Sequence, residues 1–378
     1  MTSGTSGAIG SLASGQPRAA ASLTAALESG PAHAYLFVGP NGSGKREAAR
    51  SFGAELLAVG ADDPEGVRRR VMRHPSPHPD FVWVEPAGAT HLVEDIREDV
   101  IRGAALRPAE GSRRVFVICE AEAMREESQN ALLKTLEEPG DFAHFLLLAS
   151  SQDLILPTIG SRCSVIEFSP LRPDVVVERL GAEPGDPAAV AVARLSGGDL
   201  DLARRLLDPE GSDLRQAAES AARAAVLDSQ PAQPWRAMLD YATEAGERAA
   251  AEEEARLLEL GQGTGRGGQK GKLRADAADQ VKRTARRVRT HSLDLGLGLC
   301  AAWFRDLAAV AGGGGELAFN QDRQAELAAD AEGLSAGRAA EAVALVNDTR
   351  RRLGLNVSED LALDALWLRL GALLASPS

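Results

Sequence analysis

Short runs of β-branched and aromatic residues, separated by helix-forming stretches, pattern the first half of the chain. Five runs are strand candidates: Ala34 to Val38, Phe81 to Val84, Val115 to Cys119, Phe145 to Ala149 and Val165 to Phe168. Strands alternating with helical stretches predict a parallel sheet flanked by helices, because parallel neighbours need a long crossover connection. Beyond Pro170 the strand pattern ends, and Ala, Leu, Arg and Glu dominate, so the second half is predicted to be all helical. A Pro/Gly-rich stretch from Gly181 to Pro187 and a turn-rich one from Asp208 to Asp213 bracket a small helical unit at Ser169 to Asp208. Farther on, Leu293, Leu297, Cys300, Phe304 and Leu307 recur at alternating spacings of four and three, a stripe suited to helix packing. Leu363, Leu366, Leu370 and Leu373 form another apolar face, and Asn356 followed by Glu359 predicts a helix cap in front of it.

Composition narrows the class. The chain has 378 residues, 44% hydrophobic and 25% charged, which predicts a soluble globular protein of more than one domain. No run approaches the ~20 apolar residues a membrane helix needs, so no membrane partner is expected. Met1 to Gly15 is rich in Gly, Ser and Thr, without the basic-then-apolar order of a signal peptide, and predicts a cytoplasmic protein. Cys119, Cys163 and Cys300 are odd in number and far apart, which argues for reduced thiols and against a disulfide framework or a four-cysteine zinc site. A net charge of -12 gives no general attraction to nucleic acid, so contact with DNA would need a local patch. Lys270, Lys272, Arg274, Lys282, Arg283, Arg286, Arg287 and Arg289 make one candidate patch. With Val281, Ala285 and Val288 on the opposite face, the same segment also describes the wet side of an amphipathic helix, and that is the expectation here.

The chemistry concentrates after the first strand. Gly39, Pro40, Asn41, Gly42, Ser43, Gly44, Lys45 and Arg46 follow the phosphate-loop pattern except at the last position. In that pattern glycines let backbone N–H groups crowd around phosphate oxygens, the lysine reaches the terminal phosphates, and a Ser or Thr hydroxyl ligates magnesium. Arg46 replaces the hydroxyl. A second element, an acidic residue closing an apolar strand, should complete the metal site. Here the strand ends V-F-V-I-C-E, with Cys119 at the metal-side position and Glu120 after it. A soft thiol, mostly neutral at pH 7, replaces carboxylate poorly around a hard cation. The loop thus predicts ATP or ADP binding as an open possibility, and inefficient hydrolysis.

Glu120 to Gly140 reads E-A-E-A-M-R-E-E-S-Q-N-A-L-L-K-T-L-E-E-P-G, followed by the strand H-F-L-L-L-A-S-S and by P-T-I-G-S-R-C at Pro157 to Cys163. These blocks, with H-A-Y-L-F-V-G-P upstream, resemble the clamp-loader branch of the AAA+ ATPases over about Ala32 to Leu180. The resemblance implies a P-loop domain at residues 1–168, a small helical lid at 169–208 and a helical collar domain at 209–378 for oligomerisation. It implies that Arg162, the arginine of S-R-C, acts as a finger on ATP held by a neighbouring subunit. It also implies partners: the gamma or tau motor subunits, the delta subunit, the sliding clamp and primed DNA. Motor subunits of the family would keep the loop hydroxyl and the strand-end aspartate, so Arg46 and Cys119 point to a hydrolysis-deficient scaffold. The alternative is an active DNA-dependent ATPase motor with unusual metal ligation. The arginine that senses nucleotide in motors aligns with Asp201, beside Arg204 and Arg205. Many relatives carry a zinc module that this chain lacks between Val59 and Asp80, and Pro75, Pro77 and Pro79 bar a helix that would pair His74 with His78.

Overall fold

A computed structural model describes residues 8–12, 14–73, 75–86, 90–227, 233–261, 270–353 and 357–374. In chain order the first part holds α1 (Ala8–Leu12), α2 (Pro17–Ser29), β1 (Ala34–Val38), α3 (Lys45–Ala58), α4 (Pro64–Met72) and β2 (Phe81–Val84). Next come α5 (Val93–Asp95), β3 (Arg114–Ile118), α6 (Glu126–Glu137), β4 (Ala143–Ala149), α7 (Pro157–Gly160), β5 (Ser164–Glu167) and α8 (Pro173–Leu180). The rest is α9 (Pro187–Leu195), α10 (Leu200–Leu207), α11 (Pro209–Val226), α12 (Arg236–Gly261), α13 (Lys270–Ala311), α14 (Gln324–Asp330), α15 (Ala336–Leu353) and α16 (Glu359–Leu374). The chain divides into two compact units, one of Met1–Val176 with Gly197–Leu200, the other of Val177–Ser196 with Asp201–Ser378.

The first unit is built on a five-stranded sheet in the order β2-β3-β4-β1-β5. Every neighbouring pair is parallel. Period-two alternation sends Tyr35, Phe37, Val115, Val117, Leu146 and Leu148 into one core, with Phe52 and Leu56 of α3. Leu36, Phe116, Ile118, Phe145 and Leu147 point to the other, with Leu132 and Leu136 of α6. Because helices cover both faces, the inner strands are apolar apart from Arg114 of β3 and His144 of β4, and all seven residues of β4 are buried. Each large side chain buried this way contributes roughly 1.5–3 kcal/mol. Gly53 lets α3 lie close to the sheet, since a Cβ there would stand 2.6 Å from the Phe81 ring. The bounds of β1 and β2 match the sequence pattern, while β3 and β4 begin one and two residues earlier. Cys119 falls just beyond β3, where the chain turns at Glu120 in a left-handed conformation, φ 49°.

The second unit is helical. Leu293, Leu297, Cys300, Phe304 and Leu307 are all buried along α13, as their spacing predicts. Its buried indoles each find an acceptor: Trp235 donates to Asp364 at 3.2 Å, Trp303 to Asp330 at 3.2 Å and Trp367 to the Ala221 carbonyl at 2.9 Å. Asp306, fully buried, accepts from the backbone N–H groups of Phe319 and Asn320 at 2.8 Å each. On α16 the apolar face runs through Leu363, Leu366 and Leu370 to Leu374, with Leu373 only half-buried, because Trp367 also turns inward. Asn356 lies outside the described residues, and Glu359 pairs with Arg289 at 2.5 Å. Of the basic segment, the side chains of Lys270, Lys272 and Arg274 lie outside the description, while Lys282, Arg283 and Arg286 are exposed.

Candidate functional site

β1 stops at Val38 and α3 starts at Lys45, so Gly39 to Gly44 bridge the carboxyl end of a central strand and a helix N-terminus. Parallel α/β sheets place ligands at such positions. Three glycines make the turn possible. Gly42 and Gly44 adopt φ 63° and 90°, which other residues enter with strain. At Gly39 a Cβ would meet the Phe168 carbonyl oxygen at 2.1 Å, so only glycine lets the loop pass the end of β5. Asn41 is exposed at the tip, Pro40 is half-buried, and Ser43 is fully buried with an Oγ that has no hydrogen-bond partner. The Ser43 carbonyl accepts from Gln16 Nε2 at 2.9 Å, and Ser169 N–H donates to Gln16 Oε1 at 3.1 Å. One amide side chain thus ties the loop to the chain leaving β5.

Lys45, 6% exposed, turns back beneath the loop. Its ammonium donates to the Gly39 carbonyl and, at 2.9 Å, to the Ala149 carbonyl at the end of β4. Burial lowers its pKa from the ordinary lysine value, and the charge of Glu122 opposes that shift. Arg46 leaves the loop in the other direction. Its guanidinium pairs with Glu85 just past β2 and lies over the Trp83 ring, 5.6 Å from the centroid. Trp83 Nε1–H donates to the same Glu85 oxygen at 2.5 Å, and Arg50 stacks on Trp83 at 4.4 Å.

At the end of β3, Cys119 is buried and its thiol is pushed up to about 12, mainly by desolvation. It is a neutral group. His91 Nε2–H donates to the Cys119 carbonyl at 2.7 Å, which leaves Nδ1 as an unpartnered buried acceptor. Glu122 takes the Ser150 N–H at 2.9 Å with one oxygen, while its other oxygen is buried without a partner. These groups do not form a magnesium site. The loop hydroxyl is replaced by a guanidinium held on Glu85, the strand-end carboxylate by a neutral thiol, and the lysine charge is spent on two carbonyls.

Arg162 follows α7 at the far end of the P-T-I-G-S-R-C block and is partly exposed, anchored by buried Ile159. One guanidinium nitrogen donates to the Thr158 carbonyl at 2.8 Å, and the other pairs with Glu137, the last residue of α6, at 2.6 Å. The neighbouring Cys163 thiol is raised by burial to about 12 and packs against the core. His78 accepts the Asp80 N–H at 3.2 Å and lies 3.9 Å from Glu110; His74 lies outside the described residues. Asp201 pairs with Arg204 at 3.3 Å.

The sequence pattern does not single out Glu85, Trp83, His91, Glu122 or Gln16, nor Asp199, whose carboxylate lies against Gly42 of the loop. The motif E-A-E carried a weak signal for Glu122, since alternate residues after the strand both bear carboxylates. The V-W-V-E end of β2 offered one for Glu85 as the partner of a loop arginine. Nothing local marks Asp199 or Gln16, whose contacts join distant parts of the chain.

A five-stranded parallel sheet with flanking helices, carrying a phosphate loop after β1 and helices beyond it, defines the first unit as a P-loop domain of the AAA+ type. The family described as "DNA polymerase III, delta subunit" matches residues 15–172, so the resemblance of this unit to clamp-loader subunits of that polymerase is shown. The chain is 38% identical over 188 residues to the DNA polymerase III subunit delta' of Pseudomonas aeruginosa, covering 46% of this chain and 56% of that protein. It is 31% identical over 153 residues to the delta' subunit of Bacillus subtilis, covering 39% and 45%. It is 33% identical over 195 residues to the gamma/tau subunit of Mycobacterium bovis, covering 49% and 34%. The matched region thus spans about half the length of the two delta' relatives. No helix among the described residues is long and apolar enough to cross a membrane.

Proposed function

We propose that the chain is a cytoplasmic clamp-loader subunit of a bacterial replicative DNA polymerase, a hydrolysis-deficient AAA+ scaffold of the delta' kind. It supplies Arg162 in trans to ATP held by a neighbouring motor subunit. Its partners are the gamma or tau motors and the delta subunit, with the sliding clamp and primed DNA engaged by the assembly. Residues 169–208 serve as its lid, and residues 209–378 join the collar.

The observation that carries this proposal is the contrast at Arg46. Where a motor needs a metal-binding hydroxyl, this chain places a cation already held by Glu85 and Trp83, while Arg162 keeps a partly exposed guanidinium at a surface turn. A permanently charged, forked cation suits transferring phosphoryl oxygens, and it acts without taking up a proton.

Similarity to gamma/tau subunits and the retained Lys45 favour a second reading, an active motor. Turnover separates the two. The purified chain is expected to show no ATP hydrolysis, while a loader reconstituted with its motor and delta subunits hydrolyses ATP and loses that activity with Arg162→Ala. Robust hydrolysis by the chain alone, abolished by Lys45→Ala, establishes the motor reading instead.

A further inference from the structure

The segment Gly197 to Leu200 belongs to the first compact unit, far in sequence from the loop it meets. It is seated by two consecutive left-handed glycines, Gly197 at φ 59° and Gly198 at φ 89°. Gly198 fits against the backbone of Leu171, whose nitrogen and oxygen would lie 2.5 and 2.6 Å from an added Cβ. The next residue, Asp199, comes down on the phosphate loop. A Cβ at Gly42 would meet Asp199 Oδ1 at 1.9 Å and its Cα at 2.4 Å, so backbone and carboxylate both press on the Gly42 Cα. Leu200 N–H then donates to the Gly42 carbonyl at 3.4 Å. The charge is also felt within the loop, where Asp199 opposes the lowering of the Lys45 pKa by burial.

We propose that Asp199 is the resident anion of the phosphate loop and determines what the loop can hold: the chain's own carboxylate in place of a nucleoside polyphosphate. This rests on the disabled-site half of the proposed function and is independent of Arg162. A loop shaped for anions attracts one by its backbone N–H groups and by the positive end of the following helix. Asp199 supplies that charge internally, at no translational entropy, and is tethered by the two-glycine turn. Phosphate groups entering beside it would meet a like charge and would have to displace the Gly197–Leu200 segment. The loss of magnesium ligands removes the cation that would screen such repulsion. Gly42 is then required for a second reason: besides its own φ, it leaves room for the closing segment.

Binding of fluorescent ADP and ATP analogues, without added magnesium, by the full chain and by Asp199→Asn and Asp199→Gly tests the assignment. Wild type is expected to bind weakly, and both variants at least about tenfold more tightly, because a like charge seated on the phosphate loop is removed. In Asp199→Asn, where the loop is open to phosphate, the Lys45 charge can turn from its carbonyls to the ligand, so adding Lys45→Met should reverse the gain and place it at the loop. Equal affinity in wild type and variants overturns the proposal and leaves hydrolysis deficiency to the turnover test. Variants that gain binding, and that hydrolyse ATP once magnesium is added, confirm Asp199 but overturn the deficient-scaffold reading. Hydrogen exchange gives a second readout: millimolar ADP should add less protection to the amides of Gly42 to Lys45 in wild type than in Asp199→Asn, and equal added protection refutes the assignment.

Discussion

Lys45 and Arg162 are two cations of one domain, one at the phosphate loop and one at the S-R-C turn, and their surroundings differ. Lys45 is buried, donates to two carbonyls of its own chain and sits in a loop closed by Gln16 and the Gly197–Leu200 segment. Arg162 is partly exposed and holds one carbonyl and one surface carboxylate. A buried cation bonded to backbone is a structural fixture, because releasing it strands the carbonyls and its own charge. A surface guanidinium paired with a carboxylate gives little up when it changes partners, since such pairs contribute at most about 1 kcal/mol. The same fold thus keeps one cation for itself and leaves one available.

The most direct way to break this contrast is to remove each cation from the assembled loader. Arg162→Ala should lower clamp- and DNA-stimulated ATP hydrolysis by up to on the order of 10³, the low end of trans fingers, with assembly unchanged by gel filtration. An assembled mutant complex with full activity removes Arg162 from the mechanism. Lys45→Met should do the opposite. Loader activity stays at the wild-type level, while the chain loses about 1–2 kcal/mol in urea unfolding as the Gly39 and Ala149 carbonyls lose a charged donor. Lost activity at unchanged stability would make Lys45 a working nucleotide ligand and erase the contrast.

How much of this contrast was visible in the sequence depends on the range of the interactions. The sheet was legible because alternation is local: Tyr35 and Phe37 face one core and Leu36 the other, and the bounds of β1 and β2 follow. The α13 stripe from Leu293 to Leu307 was legible for the same reason, at the helical period. The phosphate loop and the S-R-C turn were legible as motifs. Their partners were not. Asp199 reaches Gly42 only through the turn at Gly197 and Gly198, and Gln16 reaches Ser43 and Ser169 from the cap of α2. Locally Arg46 shows only that a hydroxyl is missing; its pairing with Glu85 over Trp83 depends on β2 lying beside β3, which no local pattern encodes.

The strand-end half of the site, at Cys119 and His91, offers a smaller test. His91 is buried, gives its Nε2 proton to the Cys119 carbonyl, and has its pKa lowered chiefly by desolvation. The unfolded chain therefore binds this proton first, near pH 6.5, while the folded chain resists it, so stability is lost as pH falls through the unfolded value. Between pH 7 and 5.5 His91 should therefore contribute a loss of stability. His91→Gln, which keeps an N–H for Cys119, should flatten the slope of stability against pH. An unchanged slope assigns the titration to the other buried histidines, His78 and His144, whose pKa values burial also lowers.

The finest test concerns the exchangeable partner itself. Glu137 and Arg162 are 46% and 34% exposed in their side chains, so their 2.6 Å pair is a surface ion pair with a small net contribution. Glu137→Gln should leave the melting temperature within error and change loader ATPase by less than about tenfold, because Thr158 still anchors the guanidinium. Glu137→Lys adds a repelling charge at the same place and should cost more activity than the glutamine variant, again with little loss of stability. A fall with Glu137→Gln as deep as with Arg162→Ala would mean that the carboxylate holds the finger in its working direction. Arg162 would then depend on a fixed internal partner, as Lys45 does, and the distinction between the two cations would rest on exposure alone.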